Sequence, residues 1–240
     1  AEVVGYDYPR IAERRDAVVN QLYKGVQYLM KKNKIEVVQG KGRVSDRNTI
    51  SVDSKQVKGK NLIIATGSVV KNLPGLEIDG ESIISSDHAV RSKSAPESIC
   101  IIGAGAVGVE FASVYERFGS QVTIVEMLPH LLPLEDDDIS TEFEKSMRRR
   151  KVKFLTSAKV EKVEVAGEVV KCTVTTQKGT EVLEAEMFLC AVGRRPVSEN
   201  LDLEKLPNVK LERGYVVVDP KTLLTGERWL SAIGDVVALP

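Results

Sequence analysis

The sequence predicts an α/β fold, a parallel sheet interleaved with helices and interrupted by an antiparallel insertion. Three observations predict it. Residues 98–125 read as strand, glycine-rich turn, helix and strand, the order of one βαβ unit. Continuous apolar runs at 62–65 and 187–192 suit strands buried on both faces of a parallel sheet. Across 160–192 the apolar period falls to about two, which predicts three strands joined by turns at Ala166–Gly167 and Lys178–Gly179.

The elements follow in order. Residues 11–32 carry apolar side chains at 18, 19, 22, 26, 29 and 30, a helical spacing. Residues 35–44, IEVVQGKGRV, predict a strand ending in glycines, and 48–68 predict short strands closed by a tight turn. The stretch 70–97 is rich in Pro, Gly and Ser, with turn signals at Pro74–Gly75 and Asp79–Gly80, and reads as a connector. A strand at 98–102, a helix at 106–118 stopped by Gly119 and a strand at 121–125 come next. A second helix is predicted at 139–150. Its acidic approach, Glu135 to Asp138, favours or caps the N-terminus, and Arg148 to Lys151 suit the C-terminus. Strand-like sequence resumes at 152–160. Beyond 211 come LERGYVVVD, a turn around 219–228 and WLSAIGDV, with Tyr215 and Trp229 as packing residues.

Composition narrows the function classes. The chain has 240 residues, with 34 basic and 34 acidic side chains, so its formal net charge is zero. Nothing in that balance draws nucleic acid or an anionic membrane. At 42% hydrophobic and 28% charged the chain reads as globular, and its apolar runs are too short to span a bilayer. The first ten residues, AEVVGYDYPR, show no basic or apolar leader pattern, so no signal peptide is expected. Cys100, Cys172 and Cys190 match no zinc spacing and are expected as buried thiols in a reducing compartment, with no metal site. His88 and His130 are expected at the surface.

The chemistry concentrates at Gly103-Ala104-Gly105-Ala106-Val107-Gly108, a GxGxxG between an apolar strand and an amphipathic helix. Gly103 permits the tight turn, Gly105 lets the backbone approach a pyrophosphate, and Gly108 lets helix and strand pack closely. The pyrophosphate then meets free N–H groups and the positive end of the helix dipole. Glu126 lies 18 residues past Gly108, at the end of the second strand, where its carboxylate can accept from a ribose diol and repel a 2′-phosphate. NAD is therefore expected over NADP. Glu110 either complements the helix dipole or faces the cofactor crevice. Arg194 and Arg195 either meet a phosphate or carboxylate or form structural ion pairs.

Two further segments bracket this unit: LIIATGS at 62–68 and Ala232-Ile233-Gly234-Asp235. Together with the GxGxxG they resemble the flavoprotein pyridine nucleotide-disulfide oxidoreductases, which carry two dinucleotide-binding domains. KGVQYLMKKNKIEVVQGKGRV, the run from 101 to 133 and AVGRRPVSENLDLEKLP are similar to the dihydrolipoamide dehydrogenase branch, and the resemblance covers nearly every residue. It implies a Rossmann-like NAD-binding domain at 92–211, flanked by parts of a split FAD-binding domain at 1–91 and 212–240. Gly103, Gly105, Ala106, Val107, Gly108 and Glu126 would hold NAD, with Val160 and Gly193 lining its adenine and nicotinamide sides. Gly42, Thr66, Gly67, Ser68 and Asp235 would touch FAD, Asp235 at the flavin ribitol, and Glu110 would lie near the flavin.

The same resemblance implies oxidation of dihydrolipoamide through a redox disulfide and FAD to NAD. It also implies a homodimer and a lipoyl-bearing subunit of a 2-oxo-acid dehydrogenase complex as partner, in the cytoplasm or an organelle matrix. Cysteines at 100, 172 and 190 form no CxxxxC, and neither histidine sits in HxxxxE, so no catalytic residue is assigned within these 240 positions. They read as a central piece of the enzyme. The alternatives are another oxidoreductase of the family, of mercuric reductase or soluble transhydrogenase type, and a non-catalytic NADH-binding module.

Overall fold

A computed structural model describes residues 5–238. The first four residues of the stretch read for a leader lie outside them. The chain forms two compact units, each discontinuous in sequence. One takes the chain through Asn20 together with Val70–Gly193, and the other takes Gln21–Val69 together with Arg194 onward.

The first unit is built on a five-stranded parallel sheet. Its strand order is Ile83–Ser85, Met187–Cys190, Ser98–Ile102, Gln121–Val125, Lys153–Leu155. Both faces are covered, as an all-parallel sheet requires. On one face Ile99, Ile101, Ile124 and Leu189 pack against Ala112 and Tyr115 of the Ala106–Arg117 helix and Met147 of the Asp137–Arg149 helix. On the other, Cys100, Ile102, Val125 and Phe188 pack against Val170, Cys172 and Val174. Those three belong to the antiparallel sheet Lys159–Ala166, Val169–Thr176, Gly179–Ala185, whose alternation sends them inward. The insertion read from its period of two is thus the lid on one face of the parallel sheet.

The helices begin and end where local chemistry dictates. Asp136 caps the second of them, its Oδ1 accepting from Asp138 N at 3.0 Å, so that helix starts two residues before the sequence reading placed it. Gly119 follows the first at φ +93°, a stop that a β-carbon would strain. All three cysteines are buried free thiols. Burial pushes the Cys100 thiol well above its usual range and the Cys172 thiol up to about 11, so neither is a nucleophile near neutral pH.

The second unit holds the antiparallel sheet Gly42–Asp46, Thr49–Val52, Lys55–Lys58, the hairpin of Leu211–Glu212 with Tyr215–Val216, and a parallel pair, Leu62–Ile64 with Leu230–Ala232. Its core gathers Val44, Leu62, Ile64, Leu203, Trp229 and Leu230.

Three sequence expectations are corrected. The strand expected at 35–44 begins only at Gly42; Lys34 and Gly40 have positive φ, and Ile35 and Val37 are exposed rather than paired. The run at 62–65 is not buried on both faces, because Ile63 is 60% exposed. The connector at 70–97 contains the edge strand Ile83–Ser85, in parallel register with Phe188, Leu189 and Cys190. The Tyr8–Lys32 helix has the expected period, yet Ala12 is its one buried residue among those described, and Val18, Val19, Leu22, Val26 and Leu29 are exposed. No helix among the described residues is long and apolar enough to cross a membrane.

Candidate functional site

The parallel sheet sets the first site. The chain leaves Ser98–Ile102 toward Gln121–Val125 on one side, and Met187–Cys190 returns on the other side. The strand order therefore switches at the carboxyl end of Ser98–Ile102, where open α/β sheets bind ligands. Gly103 makes the turn there, at φ +102°, and a β-carbon on it would meet Ala191 O at 2.5 Å. A β-carbon on Gly108 would stand 1.9 Å from Gly103 O, so this glycine sets how closely helix and strand pack.

Gly105 differs: nothing lies within 4 Å of where its β-carbon would be. Its missing side chain opens space that no protein atom uses. Gly105 is also the residue before the Ala106–Arg117 helix, and no side chain caps that end. The first N–H groups of a helix have no intrahelical acceptor, so those of Ala106, Val107 and Gly108 are left without one and carry the positive end of the dipole. A cradle with a missing β-carbon and free N–H donors fits the pyrophosphate of a dinucleotide.

Glu126 joins this cradle from the end of Gln121–Val125. It is 8% exposed, and its carboxylate bridges two loops. Oε2 accepts from Ala104 N, inside the glycine turn, at 2.6 Å, and Oε1 accepts from Leu128 N at 2.8 Å. Both oxygens are thus held by backbone donors, and the side chain is fixed as an acceptor next to the glycine turn. Gly193 follows Met187–Cys190 past the switch point; it is exposed, at φ +109°, with open space at its β-carbon position. Val160 is partly buried and packs against the core on the insertion side of the sheet. Glu110 is exposed on the Ala106–Arg117 helix and forms no ion pair among the described residues.

The second site lies in the other unit. Leu230 to Ala232 pair with Leu62 to Ile64 in parallel, and Ile233 N donates to Ile64 O. This pairing brings the ends of both strands together, and with them Thr66, Gly67, Ser68 and Asp235. Gly67 and Gly234 take φ of +70° and +74°, each with nothing within 4 Å of a β-carbon. Thr66 donates its hydroxyl to Val197 O, and Ser68 donates to Asp235 Oδ2 at 2.6 Å. Ser68, Gly234 and Asp235 border an open cleft of about 780 Å³ whose lining also includes Arg194, Tyr215 and Leu223. A carboxylate and hydroxyls around an open cleft suit a polyhydroxylated chain such as the ribityl part of FAD. Gly42 is elsewhere in this unit, paired with Val52 in the three-stranded sheet.

Sequence reasoning left one residue of this site undecided. Arg194 donates from Nε to Ser68 Oγ at 2.6 Å and from Nη2 to Ser68 O at 2.7 Å. Its neighbour Arg195 forms a local ion pair with Glu199. Position 194 is 126 residues from Ser68, so no local pattern distinguishes the two arginines. Neither site includes a metal cluster: no group of three or more metal-ligating side chains occurs among the described residues.

Comparison with known proteins identifies the family. Residues 3–240 match the sequence family described as pyridine nucleotide-disulphide oxidoreductase. The chain is 38% identical to dihydrolipoyl dehydrogenase 2, mitochondrial, of Arabidopsis thaliana, over 99% of its own length and 48% of that protein's. It is 37% identical to leghemoglobin reductase of Glycine max, over 97% of its length and 46% of that protein's. Among solved structures, the HOCl-induced flavoprotein disulfide reductase RclA from Escherichia coli matches with a TM-score of 0.86 and 31% identity, over 96% of this chain and 53% of that one. The chain spans about half the length of such relatives. It belongs to the pyridine nucleotide-disulphide oxidoreductase family, whose cofactors are FAD and NAD(P).

Proposed function

We propose that this member of the family is the nucleotide-docking part of a dihydrolipoamide dehydrogenase, with residues 92–211 as the NAD-binding domain and 1–91 and 212–240 as segments of the FAD-binding domain. The observation that carries the reading is the Glu126 carboxylate held at 2.6 Å on Ala104 N, an acceptor fixed beside an open glycine cradle. The N–H groups of Ala106, Val107 and Gly108 would take the pyrophosphate. Glu126 would accept from the adenosine ribose, and a 2′-phosphate there would face a fixed negative charge. Val160 and Gly193 would line the adenine and nicotinamide sides. Gly42, Thr66, Gly67, Ser68 and Asp235 would touch FAD, with Glu110 near the flavin. When bound, the two cofactors supply the hydride chemistry.

The intact protein would oxidise dihydrolipoamide on the lipoyl-bearing subunit of a 2-oxo-acid dehydrogenase complex and reduce NAD. It would act as a homodimer in the cytoplasm or an organelle matrix. Similarity to leghemoglobin reductase and to RclA supports a second reading, a different substrate for the same nucleotide site.

The test is a fluorescence titration of NADH and NADPH. Replacing Glu126 with Ala should narrow the NADH preference by about tenfold, the worth of one charge-assisted hydrogen bond, and Glu126→Arg should invert it. An unchanged ratio overturns the assignment. NAD reduction by dihydrolipoamide, measured on the intact protein, separates the two readings of the substrate.

A further inference from the structure

Arg194 and Asp235 meet through one hydroxyl. Ser68 Oγ accepts from Arg194 Nε at 2.6 Å and lies 2.6 Å from Asp235 Oδ2, while Arg194 Nε is 4.0 Å from the same carboxylate oxygen. A hydroxyl has one proton, and a guanidinium only donates. With Arg194 donating to Oγ, the Ser68 proton has a single use, and it goes to Asp235. The second bond from Arg194, Nη2 to Ser68 O at 2.7 Å, fixes the guanidinium plane against the Ser68 backbone. The result is an ordered chain of donors, Arg194 to Ser68 to Asp235, along one wall of the 780 Å³ cleft.

The chain of donors divides the two carboxylate oxygens. Oδ2 is committed to Ser68, and no protein donor reaches Oδ1 among the described residues. Gly234 precedes Asp235 with open space at its β-carbon position, so a ligand can approach from that side. We propose that Arg194 is a positioning residue for the polyol-binding carboxylate: it sets the direction of the Ser68 hydroxyl and so leaves Asp235 Oδ1 to accept from the ribityl hydroxyls of FAD. This rests on the reading of the cleft as part of an FAD site. Arg194 acts through Ser68 and Asp235, so its effect vanishes once either is removed.

That dependence gives the test. FAD binding by the purified protein is followed by quenching of flavin fluorescence for the native sequence, Arg194→Gln, Ser68→Ala, Asp235→Asn and the pairwise combinations. Arg194→Gln should weaken binding about tenfold in the native background and less than twofold beside Asp235→Asn or Ser68→Ala. Arg194→Lys keeps the charge but lacks the two-pronged donor, and should recover only part of the loss. Equal losses in all backgrounds would mean that Arg194 only supports the fold, and would overturn the proposal. So would full activity of Arg194→Gln in binding while Asp235→Asn is impaired, which leaves the FAD reading intact. A native protein indifferent to both Asp235→Asn and Arg194→Gln removes the FAD reading itself. Arg194 is a surface residue with 40% of its side chain exposed, so the variant should fold, and near-ultraviolet circular dichroism verifies that.

Discussion

Two parallel sheets in this molecule are finished to different degrees. In the first unit five strands are roofed on one face by helices and on the other by an antiparallel sheet, and Ile101, Ile124, Phe188 and Leu189 are all 0% exposed. In the second unit the parallel sheet has only two strands, and its Ile63 is 60% exposed. Parallel sheets are stable when both faces are buried. The first unit therefore supplies its own cover, and the second leaves apolar strand surface open in this chain. The glycine cradle rests on the closed sheet, with Gly103, Gly105, Gly108 and Glu126 all within the first unit. A site resting on the open pair depends on what lies against that pair.

The comparison breaks or holds first at the glycines. Gly108→Val drives a β-carbon to 1.9 Å from Gly103 O, backbone against backbone, and should cost about 3 kcal/mol or more of first-unit stability in urea unfolding. The β-carbon of Gly105→Val meets nothing within 4 Å, and the variant should leave stability within about 0.5 kcal/mol while abolishing NADH binding. Two glycines three residues apart would then divide cleanly into a packing role and a ligand role. If Gly105→Val unfolds the unit, or keeps NADH, the cradle has been misread.

The next effect contrasts the two sheets directly. Ile101→Ala empties a fully buried position and should cost about 3 kcal/mol. Ile63→Ala, at a position 60% exposed, should cost less than about 0.5 kcal/mol. Amide hydrogen exchange read separately on each strand assigns the loss to its unit. Similar losses at both positions would show that Ile63 is covered in solution, and the contrast between finished and unfinished sheets would fall.

What the sequence disclosed follows the range of the interactions concerned. The βαβ unit was legible because turn, cap and stop are encoded within a few residues of each other, as at Gly103, Gly105 and Gly119. The insertion was legible because its alternation repeats over 8-residue strands. Three-residue Ile83–Ser85 was not, since its strand character comes from pairing with residues about a hundred positions away. Residues 35–41 carry strand propensity without a neighbouring strand, and propensity alone does not make one. The glycine cradle could be named from its motif. The link between Arg194, Ser68 and Asp235 could not, because it joins positions 126 and 167 residues apart. Nor does the motif say that the Glu126 carboxylate accepts from both Ala104 N and Leu128 N.

The smallest expected effect concerns the one flaw in the closed core. Tyr115 is 1% exposed, and its hydroxyl has no hydrogen-bond partner, alone among buried side-chain polar atoms of the described residues. Removing an unsatisfied buried hydroxyl relieves its desolvation, so Tyr115→Phe should raise stability by about 1 kcal/mol at neutral pH. Burial, with a smaller contribution from Tyr8, pushes the Tyr115 phenol up from 10.0 to about 12. The folded state therefore holds this proton more tightly than the unfolded chain does. Its contribution is fully present below pH 10 and is lost as pH rises from 10 toward 12, at about 1.4 kcal/mol per pH unit. The Phe variant lacks that slope, so the difference between the two unfolding free energies should be flat to pH 10 and then widen in favour of Phe. A difference that stays flat through pH 12 would mean that the phenolate is as well solvated in the folded state as in the unfolded chain, and the desolvated hydroxyl would then be no flaw of this core.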